Sequence, residues 1–486
     1  MKNERYDMVV IGGGSAGLVA AGGAGLIGAK TLLVEKSRLG GECLHTGCVP
    51  SKALIKSSRI AHLMRNADKF GFAPISPAFS DDSFGSIRKR VREVVEAIAE
   101  HDRPEVFEEL GAEVVFGEPA FVGPQELSIA LHDGSTRQIR SKRFCIATGS
   151  SPFIPQIPGI DEIEILTNEN VFELETLPSS LVVVGGGAIG CELAQAFARL
   201  GSKVTIVEMT DRILGTEDPE ASKALEEAFE LEGIEILTSS RVVGFRKLRE
   251  AGAMVRVESE CGDNELDAEH VLVAVGRAPN VENLSLELAG VEYTSKGVGV
   301  DPYLRTSNKN IYACGDVIGE FQFTHMADHE AQTVLNNAFS FWPLRKRVDH
   351  GIVPRAIFTD PEIAATGLSE HSARLSFADG IEILRTEFSE NDRAVADGAA
   401  NGFAKIIVRK GKVIGATIVG SGAGELIQEF TIAVKHKMTL SQLNEAIHVY
   451  PTISKIAQAL SIEETMHFYR KPLIQRVLRM YLRFLR

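Results

Sequence analysis

Apolar residues in this chain recur with two periods, and each period marks a different element. Met8-Val9-Val10-Ile11 is a continuous apolar run, the pattern of a strand buried on both faces of a parallel sheet. It leads into Gly12-Gly13-Gly14-Ser15-Ala16-Gly17, a helix of small residues, and a second run, Thr31-Leu32-Leu33-Val34, closed by Glu35. The order recurs later. Leu181-Val182-Val183-Val184 leads into Gly185-Gly186-Gly187-Ala188-Ile189-Gly190 and another helix, followed by Val204-Thr205-Ile206-Val207 and Glu208. From first glycine to closing acid the spacing is 23 residues in both units. The repeat predicts two βαβ units and two dinucleotide sites.

From about Val353 the texture changes. Strand-like runs at Ala404–Val408 and Val413–Val419 alternate with glycine turns, and helical patterns follow at 424–438 and 452–460, which predicts an α+β third domain. The chain ends in one more helical pattern. On a wheel of 100° per residue, Leu473, Ile474, Val477, Leu478, Tyr481, Phe484 and Leu485 share one face, and Arg476, Arg479, Arg483 and Arg486 share the other.

Length and composition narrow this picture. The 486 residues suggest about three domains, and 44% hydrophobic with 24% charged residues is ordinary for a soluble protein. No apolar run reaches the 18 or so residues of a membrane span. Met1–Asp7 mixes charges before the glycine cluster, unlike a signal peptide, so a cytoplasmic protein is expected. Net charge −13 argues against nucleic acid as a partner. Six cysteines in so long a chain are no secreted disulfide framework. One stretch is lopsided: residues 470–486 hold six basic and no acidic side chains, so the rest of the chain carries −19.

In each fingerprint the first glycine makes a tight turn, the second admits a pyrophosphate, and the third lets helix and strand pack. The closing acid accepts from ribose hydroxyls. Glu208 should therefore favour NAD(H) over NADP(H), although Arg212 stands four residues on. The sharpest chemical signal is Gly40-Gly41-Glu42-Cys43-Leu44-His45-Thr46-Gly47-Cys48-Val49-Pro50-Ser51-Lys52. Two cysteines five apart at the opening of a helix can close a small disulfide ring, and the helix N-terminus favours a thiolate. Cys145, Cys191, Cys261 and Cys314 have no paired spacing and read as structural.

These motifs, with Ala147-Thr148-Gly149, Gly276-Arg277-Ala278-Pro279-Asn280 and Ala313-Cys314-Gly315-Asp316, resemble the class I flavoprotein disulfide reductases, the family of glutathione reductase, dihydrolipoamide dehydrogenase and mercuric reductase. The resemblance spans about residues 5–465. It implies an α/β fold of two Rossmann-like dinucleotide-binding domains and a C-terminal α+β dimerisation domain. The expected division is an FAD-binding domain in two parts (1–155 and 281–348), an NAD(P)-binding domain (156–280), a dimerisation domain (349–469) and the basic tail (470–486). It also implies FAD at Gly12, Gly14, Ser15, Ala16, Gly17, Glu35, Lys36, Gly41, Thr148, Gly149, Gly315 and Asp316. The nicotinamide nucleotide falls to Gly185, Gly187, Ile189, Gly190, Glu208, Gly276 and Arg277. Cys48 would face the flavin as a thiolate, Cys43 would exchange with the acceptor, and Lys52 would pair with Glu192 near the flavin. No resident metal is implied.

The third domain resembles the dimerisation domain through Phe358-Thr359-Asp360-Pro361-Glu362, and in the family it completes the active site of the partner subunit. One departure bears on function. The family's His-Pro-Thr, with a Glu five residues after the His, here reads Tyr450-Pro451-Thr452 with Lys455. A phenol, ordinarily near pKa 10, is a poor general base at neutral pH. His448 could serve instead, since on an extended segment it shares a face with Tyr450. Mercuric reductases also carry a Tyr near that position, but their C-terminal cysteine pair is absent here. The expected enzyme passes electrons from NAD(P)H through FAD to Cys43–Cys48 and on to a disulfide or metal ion. The alternatives are a dihydrolipoamide dehydrogenase and an NADH:quinone-type enzyme whose tail lies on the inner face of the membrane. A non-catalytic redox-responsive partner protein is the third class.

Overall fold

The computed structural model describes residues 4–75, 81–249, 252–260, 262–341, 343–377 and 379–485. Its first sheet forms around the first βαβ unit. β1 (Met8–Ile11) lies between β2 (Thr31–Glu35) and β4 (Phe144–Ile146), all parallel. β2 pairs with the start of β3 (Ala112–Gly123), and β4 pairs with β9 (Ile311–Ala313), which is 165 residues further on in sequence. β1 and β2 are fully buried, as continuous apolar runs require. α1 (Ser15–Leu26) covers them, and its small residues allow a close neighbour: a methyl at Gly23 would overlap Leu335 of α5 (Thr324–Phe339).

The second unit copies this order. β5 (Ser180–Val184) lies between β6 (Lys203–Val207) and β8 (His270–Val273), and β6 pairs with β7 (Glu235–Leu237), again all parallel. Its covering helix is α4 (Ala188–Leu200). The chain crosses between the units twice, and the two crossings meet: Ser150–Pro152 pairs antiparallel with Arg277–Pro279. Both proline-bearing crossings therefore run side by side beneath the cleft that separates the two sheets.

The third domain is a five-stranded antiparallel sheet ordered β10 (Arg355–Ile357), β11 (Ile363–Gly367), β14 (Lys412–Val419), β13 (Phe403–Arg409) and β12 (Ile381–Glu387). α6 (Ala423–His436) packs on it through Ile427, Phe430 and Ala433. The helical pattern expected at 452–460 begins as a single 3-10 turn, Ile453–Lys455, and continues as α7 (Ile456–Arg470), which runs past the expected end because nothing breaks it before Pro472. α8 (Pro472–Leu485) follows at once.

The structure adds a contact between two of the cysteines that the sequence does not pair. Cys145 and Cys314 have no paired spacing in sequence, yet their Sγ atoms stand 3.5 Å apart because β4 and β9 are neighbours. Both are buried thiols. Cys261 lies outside the described residues.

Candidate active site

A cleft of about 2100 Å³ opens between the two parallel sheets, roughly twice the upper end for an ordinary small-molecule site. Both glycine turns reach it. Gly12, Gly14, Ser15, Ala16, Glu35, Lys36, Gly41, Thr148 and Gly149 line one part, with Gly315 and Asp316. Gly185, Gly187, Ile189, Glu208, Gly276 and Arg277 line the other. Gly17 and Gly190 stay out of the cleft and act in packing. A methyl on either would overlap the carbonyl of the first glycine of its own motif, Gly12 or Gly185.

The two turns share one internal bond. Glu35 Oε2 accepts from Gly13 N at 2.7 Å, and Glu208 Oε2 accepts from Gly186 N at 2.7 Å. Each acid thus holds its own loop with one oxygen. Gly12 (φ +103°) and Gly185 (φ +107°) sit in the left-handed region against the carbonyls of Ala147 and Ala274. At Gly187 a methyl would project into open space, with nothing within 4 Å. The backbone there is bare toward the cleft, and α4 begins at the next residue with its amides unsatisfied by any side chain. In the first unit α1 likewise opens without a side-chain cap, and a methyl at Gly14 would meet only the Gly41 Cα, at 3.7 Å, so a pyrophosphate fits both turns.

The dithiol lies between them. Cys43 is within a short helix, α2 (Gly41–His45), and Cys48 is the first residue of α3 (Cys48–Arg65). Both line the cleft as free thiols. Cys48 Sγ is 3.7 Å from the Thr324 hydroxyl. The hydrogen bond with Cys43 and the Lys52 ammonium hold the Cys48 thiol down to about 6, against the opposing effect of burial. The same bond raises the Cys43 thiol far above the ordinary range, and burial adds to the rise.

Lys52 sits one helical turn after Cys48. Its Nζ is 2.7 Å from Glu192 Oε2 and 4.6 Å from the centre of the Phe358 ring. The other oxygen, Glu192 Oε1, accepts from Phe358 N at 2.9 Å. Three segments distant in sequence therefore meet at one carboxylate, whose side chain is 8% exposed.

A second polar network went unnoticed in the sequence. Glu42 makes a bidentate ion pair with Arg277 and accepts from Asn168 Nδ2 at 2.6 Å. Arg277 Nε donates to Ser150 Oγ at 2.8 Å, and Ser150 Oγ donates to Asp316 Oδ2 at 2.6 Å. Burial raises the Glu42 carboxyl above its ordinary value, and Arg277 opposes that. The available signal was the acid directly before Cys43.

Tyr450 and His448 are not among the residues lining this cleft in their own chain. They also part company. The His448 ring is nearly buried, with Nε2 2.9 Å from Glu429 Oε1 and Nδ1 3.0 Å from Ala446 O. Tyr450 is 64% exposed, and its hydroxyl donates to Asp392 Oδ2 at 3.2 Å. That bond raises the phenol above its ordinary value. Lys455 stacks its ammonium 5.2 Å from the Tyr450 ring centre. The two side chains have different partners: Glu429 holds the imidazole, and Asp392 holds the phenol.

Two glycine-turn βαβ units facing one cleft, a dithiol at a helix start between them, and an antiparallel sheet domain behind are the plan of a two-nucleotide redox flavoprotein. The chain belongs to the pyridine nucleotide-disulphide oxidoreductases: that family's model matches residues 6–331, and the model of its dimerisation domain matches residues 353–460. It is an FAD-dependent oxidoreductase, binding of FAD and a pyridine nucleotide fits the family, and the dimerisation domain indicates a homodimer. The chain is 35% identical over 451 residues to a dihydrolipoyl dehydrogenase of Bacillus subtilis, covering 92% of this chain and 96% of that one. It is 34% identical over 455 residues to a mercuric reductase of Staphylococcus aureus, covering 93% and 81%. Its structure matches the Cu(II) complex of RclA, a HOCl-induced flavoprotein disulfide reductase from Escherichia coli, with a TM-score of 0.83 and 26% identity over 94% of this chain and 99% of that one.

Proposed function

We propose that this enzyme draws electrons from NADH and delivers them through Cys43 and Cys48 to a disulfide or a metal ion. The arrangement at Cys48 carries the proposal: a thiol lowered to about 6, at the first residue of α3, with Lys52 one turn behind. When bound, FAD would supply the hydride acceptor and the two-electron donor that reduces a Cys43–Cys48 disulfide to the dithiol. Lys52 supplies a fixed positive charge beside it, and Glu192 holds that charge in place. Cys48 is the sulfur kept deprotonated. Cys43 keeps its proton and is the sulfur that meets the acceptor. With a disulfide acceptor, Cys43 bonds one acceptor sulfur and expels the other, and Cys48 then attacks Cys43, expels the second and closes the Cys43–Cys48 disulfide. One product thiol takes the proton of Cys43 and the other takes a proton from solvent.

The residues of the partner's approach support this choice of acceptor. Tyr450 stands where the family's acid–base histidine stands, and its phenol is raised rather than lowered. Losing a general base costs roughly 10²–10⁴ in rate where protons must move at sulfur. A soft metal ion needs sulfur ligands rather than a base, and the likeness to a Cu(II)-binding reductase fits that. A dihydrolipoamide dehydrogenase would be handicapped at the same step.

The nucleotide preference rests on Glu208. Besides Gly186 N it accepts from Thr210 N and Oγ1, each at 2.8 Å, which holds its carboxylate in place at the end of the second βαβ unit, where a ribose would be met. Arg212 is committed elsewhere, to Asp211 and Gly215 O. A 2′-phosphate would meet negative charge.

An acceptor panel tests the proposal. Lipoamide, low-pKa aromatic disulfides, Cu(II) and a soluble quinone are offered to the NADH-driven enzyme. Metal ion or aromatic disulfide should be reduced at least about tenfold faster than lipoamide, and Cys43→Ser should abolish that reduction. Efficient lipoamide turnover would overturn the reading. Quinone reduction that survives Cys43→Ser would move the protein to the quinone class.

A further inference from the structure

No described residue of α8 is buried. Most of its apolar face is open, with Leu473 72% and Phe484 87% exposed and Val477, Tyr481 and Leu485 exposed beside them, while Ile474 and Leu478 are half-buried. Lys471 is extended and Pro472 takes the first helical position, so α8 turns away from α7 instead of continuing it. The end of α7 adds Met466, Phe468 and Tyr469 to the exposed apolar surface. The match to the dimerisation domain stops at residue 460, so all of this lies past that matched domain.

The faces separate completely. On the helical wheel the apolar side chains occupy well over half the circumference, and Arg476, Arg479 and Arg483 fill the opposite arc. Fourteen residues make a helix of about 21 Å, too short for a hydrocarbon core of about 30 Å. Among the described residues, no helix is long and apolar enough to cross a membrane.

We propose that α8 lies flat in the surface of an anionic bilayer, apolar face down, with the arginines at the lipid headgroups. Charge complementarity selects this occupant. The body of the chain carries a net −19, which an anionic leaflet repels as a whole, while the tail carries six positive charges and no negative one. An acidic protein patch would satisfy the arginines and leave the apolar face in water. An anionic bilayer satisfies both faces at once. The proposal holds whichever acceptor the enzyme uses.

The test is co-sedimentation of the full-length, FAD-loaded dimer with vesicles of phosphatidylcholine alone or mixed with phosphatidylglycerol. Binding should appear only with the mixed vesicles and should weaken as salt rises. At roughly fivefold per arginine, the triple variant Arg476→Gln, Arg479→Gln, Arg483→Gln should partition about a hundredfold less. The charge-preserving double variant Val477→Ser, Phe484→Ser should also be released. Both variants should keep bound flavin and its bleaching by NADH. Equal binding to neutral and anionic vesicles, or no binding to either, would overturn the proposal. So would a serine variant that dissociates the dimer, since the face would then belong to the second subunit.

Discussion

Cys48 and Cys43 have nearly the same neighbours, yet their thiols shift in opposite directions. The mutual hydrogen bond can stabilise only one thiolate, and Lys52 stands nearer Cys48 along the helix. Alkylation of the reduced protein by iodoacetamide should therefore rise through about pH 6 at one sulfur and be flat at the other to well above pH 9. Mass mapping identifies which sulfur reacts. Lys52→Met should move the lower midpoint up by about one unit, since it removes a single nearby charge. The sign is fixed: a lowered thiol is protonated as pH falls through its folded value, so reactivity is lost on the acid side. At the nucleotide site, Glu208→Ser removes a charged acceptor for ribose hydroxyls. Such hydrogen bonds contribute about 1.5–3 kcal/mol, so KM for NADH should rise about ten- to a hundredfold while NADPH gains. A variant that loses both nucleotides equally would show that Glu208 only braces its loop.

At the scale of elements, α3 is the strut that sets the geometry. Cys48 opens it, Lys52 meets α4 through Glu192, Arg59 bonds Glu362 and the Thr359 carbonyl, and Arg65 donates to the Arg199 carbonyl. On α4, Arg199 is 4% exposed and holds Glu232 and Asp360. Arg199→Met should cost about 3–5 kcal/mol in urea unfolding, because it leaves Glu232 nearly buried without its cation. Much of this architecture was legible in sequence. The two βαβ units announced themselves because parallel strands buried on both faces read as unbroken apolar runs, and because three glycines at fixed spacing have few other uses. The Cys145–Cys314 contact, the Glu42–Arg277–Asn168 network and the capture of His448 by Glu429 were not legible. Each joins residues far apart in the chain, and no local period encodes such a meeting. The pattern at 452–460 fell short for another reason: α7 past that point is exposed on several sides, so its apolar period fades while the helix continues.

For the whole molecule, the dimerisation domain predicts a particle of twice 52.7 kDa, measurable by light scattering. Tyr450 lies outside its own chain's cleft, which fits a site finished by the other subunit. Dilution or substitution that yields monomers should then leave flavin bleaching by NADH intact and slow acceptor reduction. The internal joint is equally explicit. Lys405, 5% exposed, sits on β13 and bonds Asp218 at 2.7 Å and Glu370 at 3.1 Å, tying the third domain to the second nucleotide domain. The body's charge excess is therefore a surface property, while the charges at the domain joints are paired.

The divided carboxylate of Glu192 has a consequence for information flow. One oxygen holds Lys52 beside the reactive sulfur, and the other holds the amide of Phe358 at the edge of the third domain. Two events compete for or share a single charge, so each must be felt by the other to the same degree. Discharging Cys48 leaves Lys52 free to hold Glu192 more tightly at the expense of the Phe358 amide, whose protection from hydrogen exchange, corrected for the intrinsic pH dependence of exchange, should be lower at low pH than at high. Conversely, prising the third domain away should make the sulfur harder to ionise. The chemistry of a few atoms and the seating of a whole domain are thus two readouts of one equilibrium.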